Sequence, residues 1–151
     1  MTTIQKQREA IVKRYAEAKN QRDIETALKV CTDSMVLHSA SLDTVVTYNG
    51  HNEFRAGMAR FYALFSGYSG KTFSRHQAGI ALVSHGEVTL RMNPDLLINP
   101  SSDSEIVAPF LALYEFEGMQ IASEKYYPQI KYAEILSLLN PEMLATIVGN
   151  D

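Results

Sequence analysis

A chain of 151 residues, 46% hydrophobic and 21% charged, has the size and composition of one folded domain spanning 1–151, which excludes a disordered segment. Its 14 basic and 17 acidic residues give a net charge of −3 with no basic run, which excludes a nucleic-acid-binding surface. A lone cysteine, Cys31, excludes an intrachain disulfide and a multi-cysteine zinc site. No run of about 18 apolar residues suits a membrane span, and the polar start MTTIQKQREA lacks a secretory core, so a cytoplasmic protein is expected.

Residues 4–19 read as a helix, with Ile4, Ile11, Tyr15 and Ala18 on one face and Thr2 or Thr3 as its cap. Asp23 starts a second helix whose stripe is Ile24, Ala27, Leu28 and Cys31, ended by Thr32-Asp33-Ser34. The runs 35–41 and 44–48 are β-prone. Asn49-Gly50 is a turn signal, and Asn52 caps a third helix with the stripe Phe54, Met58, Phe61, Tyr62 and Phe65, stopped by Gly67-Tyr68-Ser69-Gly70. Strands are then expected at 72–84, 87–98, 106–116 and 120–127. Turns at His85-Gly86, Asn99–Ser104 and Glu117-Gly118 separate them. A terminal helix at 130–139 follows, with one or two further turns over 142–148. Helices first and a strand meander after them define an α+β layer architecture. The motifs for dinucleotide, P-loop, zincin and serine-esterase chemistry are absent.

The run Arg14-Tyr15-Ala16-Glu17-Ala18-Lys19-Asn20 with Arg22-Asp23-Ile24 resembles the opening of the nuclear-transport-factor-2-like superfamily. The Tyr48-Asn49-Gly50 turn, the Glu117-Gly118…Ile121 hairpin and the ending Glu124-Lys125-Tyr126-Tyr127 match in the same order over nearly the whole chain. Relatives there are the ketosteroid isomerases, SnoaL-like cyclases, limonene-type epoxide hydrolases and scytalone dehydratase. The resemblance implies a cone, with a curved antiparallel sheet wrapped around the N-terminal helices, a C-terminal helix and a pocket between them. It also implies a homodimer through the convex face, with Arg75, Gln77, Thr89 and Arg91 pointing outward near Val83 and Leu113.

Residue by residue, the isomerase tyrosine falls on Tyr15. The isomerase base aspartate falls on Ser39, and the second isomerase carboxyl falls near Ala112. The cyclase aspartate falls at about Pro128, and the dehydratase strand histidine falls on His76 in Phe73-Ser74-Arg75-His76-Gln77. Strict alternation puts Ser74, His76 and Ala78 on the concave face, where a desolvated imidazole is an acid/base. Tyr15, on the apolar stripe of the first helix, and Tyr114, which shares a strand face with Phe110 and Ala112, would stabilise an oxyanion. His76, Tyr15 and Tyr114 are therefore the expected catalytic residues. The expected substrate-binding residues are His38, Ser39, Phe54, Met58, Phe110, Ala112 and Tyr127. Only one of His38 and Ser39 faces inward. The last strand has two readings, with Ile121, Ser123, Lys125 and Tyr127 inward or else Gln120, Ala122, Glu124 and Tyr126. Few carboxylates are expected in the pocket, and no metal and no cofactor. The function expected is an isomerase, dehydratase or cyclase moving protons on a hydrophobic, polyketide- or terpenoid-like molecule. The alternative is a non-catalytic ligand- or protein-binding module of the same fold.

Overall fold

The computed structural model describes residues 1–100 and 104–148, so residues 101–103 of the expected turn at 99–104 lie outside the described residues. The element order is α1 (Thr3–Asn20), α2 (Ile24–Leu28), β1 (Cys31–Ala40), β2 (Val45–Asn49), α3 (Gly50–Leu64), β3 (Phe65–Ala78), β4 (Ala81–Met92), β5 (Glu105–Glu117), β6 (Gln120–Pro128), α4 (Tyr132–Leu136) and α5 (Pro141–Val148). The six strands form one curved sheet in the order β2-β1-β6-β5-β4-β3. All neighbours are antiparallel except β1 and β6, which run parallel. This is the expected α+β architecture.

Local chemistry sets the helix starts. Thr2 accepts from the Gln5 N–H while the Gln5 side chain reaches back to the Thr2 N–H, a complete capping box. Asp23 caps α2 through the Thr26 N–H. The Asp43 carboxylate accepts from the backbone N–H groups of Tyr132 and Ala133, which anchors α4 to the β1–β2 hairpin. The concave face of the sheet carries two apolar clusters. The first joins α1, α2 and α3 to the sheet through Tyr15, Phe54, Met35, Leu82 and Ile121; the second lies under α4 and α5 around Phe65, Leu90 and Ile135. Burying each such large side chain contributes about 1.5–3 kcal/mol.

Several expected boundaries move. The second helix stops at Leu28, and Cys31 begins a strand instead of ending a helix stripe. The third helix stops at Leu64, so Phe65 and the supposed stop Gly67–Gly70 belong to β3, a strand of 14 residues. The β3–β4 turn is Gly79-Ile80, where Gly79 takes a φ of 61° and Ile80 is exposed, while His85-Gly86 lies inside β4. The terminal helix is the short α4, followed by α5.

Two bulges decide which side chains face inward. In β3, Thr72 pairs with Gly86 and Ser74 with His85, so Phe73 is an extra residue and the alternation reverses after it. Tyr68, Gly70 and Thr72 face inward before the bulge. After it Arg75 and Gln77 do, opposite Ser84 and Leu82. The expectation that His76 faces inward and Arg75 and Gln77 outward is therefore corrected by one residue of slip. Gly86 permits this bulge: a Cβ built there would lie 2.0 Å from the Lys71 carbonyl oxygen. In β6, Phe116 pairs with Ile121 and Tyr114 with Glu124, so a second extra residue lies between them. Ile121 and Glu124 are both fully buried, and each of the two expected readings of the last strand holds for part of it.

Candidate functional site

Tyr15, Ala18 and Lys19 lie three and four positions apart on α1 and share its buried face. Glu124 reaches the same place from β6, held between its strand partners Leu37 and Tyr114. The Tyr15 hydroxyl donates to Glu124 Oε1 at 2.8 Å. The Lys19 ammonium donates to Oε1 at 3.0 Å and to Oε2 at 3.2 Å. Glu124 is only 1% exposed and Lys19 8%. Tyr114 meets Tyr15 edge-on with ring centres 6.0 Å apart, and Lys19 Nζ lies 4.4 Å from the centre of the Tyr15 ring. A cavity of about 30 Å³ opens beside this cluster, walled by Lys19, Glu124, Tyr68, Phe110, Tyr114 and Tyr126. Asn20 closes its rim by exchanging two hydrogen bonds with the Gly70 backbone, at 3.0 and 2.8 Å.

The electrostatics follow from burial and one carboxylate. Burial, then the charge of Glu124, pushes the Tyr15 and Tyr114 phenols well above their ordinary range. Burial also raises Tyr126 and Tyr68. For Lys19 burial works downward, but the charge of Glu124 and the hydrogen bonds to it prevail and the net shift is upward. At neutral pH the cluster therefore holds an ammonium and four protonated phenols around one carboxylate.

Of the expected catalytic residues, the structure brings Tyr15 and Tyr114 together and leaves His76 outside. His76 is exposed on the convex face, paired with Val83, its Nε2 3.0 Å from Ser74 Oγ. Among the expected binding residues, Phe110 walls the cavity, and Ala112 is fully buried on the same inner face. Ser39 shares the inward register through its pairing with Tyr126, whereas His38 points outward with Nδ1 2.9 Å from Thr47 Oγ1. Phe54 and Met58 are core residues outside the cavity wall, the Phe54 ring 6.4 Å from that of Tyr15. Tyr127 is 37% exposed on the convex face; its inward neighbour is Tyr126. The expectation of a pocket poor in carboxylates is also corrected, because Glu124 is at its centre.

Lys19, Glu124, Tyr68 and Tyr126 were the residues missed. One signal pointed to Lys19: a charged residue four positions after Tyr15 falls inside an apolar stripe. A larger open groove of about 330 Å³ lies on the convex side, by His85, Leu111 and Tyr127. Its walls carry His85 and Tyr127 but no buried charged pair, so the smaller inner cavity, with Lys19 and Glu124, is the candidate site. Among the described residues no three His, Cys, Asp or Glu side chains converge as metal ligands. No helix among them is long and apolar enough to cross a membrane.

A curved sheet that folds a polar cluster against its first helix defines the class, and comparison gives the family: residues 12–124 match the SnoaL-like domain, and the chain belongs to that family. Its fold is shared by a putative SnoaL-like polyketide cyclase from Jannaschia, at 14% identity and a TM-score of 0.71, covering 93% of this chain and 96% of that one. It is also shared by a nuclear-transport-factor-2-like protein from Burkholderia thailandensis, at 13% identity and a TM-score of 0.70, covering 85% and 96%. A protein of ketosteroid-isomerase-like fold from Catenulispora acidiphila, in complex with trimethylamine, matches at 14% identity and a TM-score of 0.67, covering 85% and 91%. No curated protein sequence matches the chain at a significant level.

Proposed function

We propose that the chain is a cofactor-independent enzyme of the isomerase, dehydratase or cyclase kind, moving a proton on a small hydrophobic molecule with Glu124 as the base. One observation carries this reading: a carboxylate 1% exposed is held by an ammonium and a phenol at the wall of a cavity. A buried ion pair is a weak way to hold a fold, since an apolar pair of like volume does as well or better. What the pair adds is chemistry. Tyr15 and Lys19 orient the carboxylate. A C–H beside a carbonyl gives its proton to Glu124, and the electron pair moves onto the carbonyl oxygen. Tyr68, Tyr114 and Tyr126 stay protonated and are the donors for that oxyanion. The proton then returns from Glu124 to another carbon in an isomerisation, or to a departing hydroxyl in a dehydration. The cavity walls are aromatic, which suits an apolar substrate once the cavity of about 30 Å³ widens to admit it.

The test is α-proton exchange of simple enolisable ketones in deuterated water, followed by NMR. The wild type exchanges faster than free carboxylate, Glu124→Gln loses about 10²–10⁴-fold, and His76→Ala leaves the rate unchanged. Equal rates for the wild type and Glu124→Gln remove the enzymatic reading. A non-catalytic module is the second reading, favoured by the size of the cavity: about 30 Å³ is room for about one water. We also infer that the convex face pairs two copies of the chain, because Phe73, Val107 and Leu111 are 56%, 53% and 43% exposed there. A monomer in light scattering at micromolar concentration contradicts it.

A further inference from the structure

We propose that the substrate of this site is an anion. It is a small molecule bearing a carboxylate, gripped on the concave face of the β3–β4 hairpin by Arg75, Gln77 and Ser84, while Glu124 acts on its other end. The proposal rests on the acid–base reading of Glu124 and names the substrate class for it.

The observations begin with hydrogen bonds that are missing. Ser84 is 1% exposed and its hydroxyl has no partner. Arg75 Nε and Gln77 Nε2 are likewise buried without a partner. Each such group costs the desolvation of a polar atom, and folded proteins leave few of them. Here three fall on adjoining positions of one face: Arg75 pairs with Ser84, and Gln77 with Leu82 in the next row. The guanidinium Nε–H and the amide Nε2 only donate, and the hydroxyl is free to donate, so one acceptor group satisfies all three.

Their place ties them to the site. Along the sheet, the row Arg75–Ser84–Ala112–Tyr126 runs between the row Thr72–Gly86–Phe110 and the row Gln77–Leu82–Tyr114–Glu124. Thr72, Phe110, Tyr114, Tyr126 and Glu124 wall the cavity; Arg75, Gln77 and Ser84 are not part of that wall but share these rows of the sheet on the β3–β4 side. Arg75 and Glu124 stand three strand spacings and one row apart, about 16 Å along a flat sheet, and the curvature of the sheet and the two long side chains shorten that span.

Charge selects the ligand. Lys19 and Glu124 cancel each other. Among the described residues Arg8, stacked on Phe116 at the far end of the face, makes no ion pair, and neither does Arg75, which leaves an uncompensated positive charge at the hairpin. A monoanion neutralises it, and a planar carboxylate matches the guanidinium donors. The β3 bulge is what delivers this cation inward; without the extra residue Phe73, His76 would occupy the face instead.

The test uses the full ¹⁵N-labelled chain, with benzoate, benzamide and inorganic phosphate titrated separately and followed by backbone amide shifts. Benzoate should shift the β3–β4 hairpin and saturate more tightly than benzamide. Arg75→Gln should weaken benzoate about tenfold or more and leave benzamide unchanged. Ser84→Ala has no native partner to lose, so it folds as the wild type does and should also weaken benzoate. Glu124→Gln should keep benzoate binding even where proton exchange is abolished, which separates failure of this proposal from failure of the acid–base reading. The proposal is overturned by a benzoate affinity no higher than that of benzamide, by benzoate binding indifferent to both hairpin variants, by absence of any benzoate shift, or by tighter binding of phosphate.

Discussion

Replacing Lys19 by Met removes the ammonium that lies 3.0 and 3.2 Å from the two oxygens of Glu124 and keeps most of the side-chain volume. Both partners are buried, with side chains 9% and 1% exposed, so water cannot take the place of the lost donor. Glu124 would keep its 2.8 Å bond from Tyr15, but its charge would have no counter-ion. Breaking a buried pair from one side costs about 3–5 kcal/mol. For a domain of this size that is a fall of roughly 6–20 °C in melting temperature. Urea unfolding at pH 7 checks this, with the slope confirming that the same surface is exposed. The double variant Lys19→Met/Glu124→Met removes both charges and should recover most of the loss. A single-variant cost below about 1 kcal/mol, or a double variant no more stable than the single, refutes the reasoning.

Gly86→Ala places a methyl 2.0 Å from the Lys71 carbonyl oxygen, a backbone atom, and should destabilise by about 1–3 kcal/mol or more by urea unfolding; a change under about 0.5 kcal/mol means the bulge does not depend on this close approach. Burial, then the charge of Glu124, pushes the Cys31 thiol up to about 12. Its proton is kept in the folded state and released in the unfolded one above about pH 8.5, so stability falls by about 4–5 kcal/mol as pH climbs from there to about 12. Tyr15, Tyr114 and Tyr126 act in the same direction above about pH 10. Unfolding on alkaline titration should follow, and native Cys31 should resist a thiol reagent at pH 8 that labels it in urea; equal labelling rates contradict this.

Much of the fold was legible because its signals are local. The Thr2 and Asp23 caps, the stripe of α1 and the aromatic face of α3 are each set by residues within a few positions of one another. The orientation of the strands was not, since a single extra residue at Phe73 exchanges His76 for Arg75 on the concave face. Alternation has no way to announce a bulge that depends on Gly86, on the neighbouring strand. The bulge of β6 had the same effect on Glu124. Tyr15 was found because an aromatic on a buried stripe is visible in one helix. The partnership of Lys19 and Glu124 was not, because 105 residues separate them. Lys19 falls in an apolar stripe and Glu124 on one of the two inward readings of its strand, but nothing local pairs them.

A crystal of the protein soaked with 2-naphthol, a planar mimic of an enolate, tests most directly whether the working cavity is the concave one at Glu124. The expected result is the ring beside the Phe110–Tyr126 pair, whose centres lie 5.5 Å apart, in a cavity widened from its 30 Å³ to admit it, with its oxygen within hydrogen-bond reach of Tyr68 or Tyr114 and its edge against Glu124. Density confined to the convex groove by His85 and Tyr127, with the inner cavity unchanged, would contradict it.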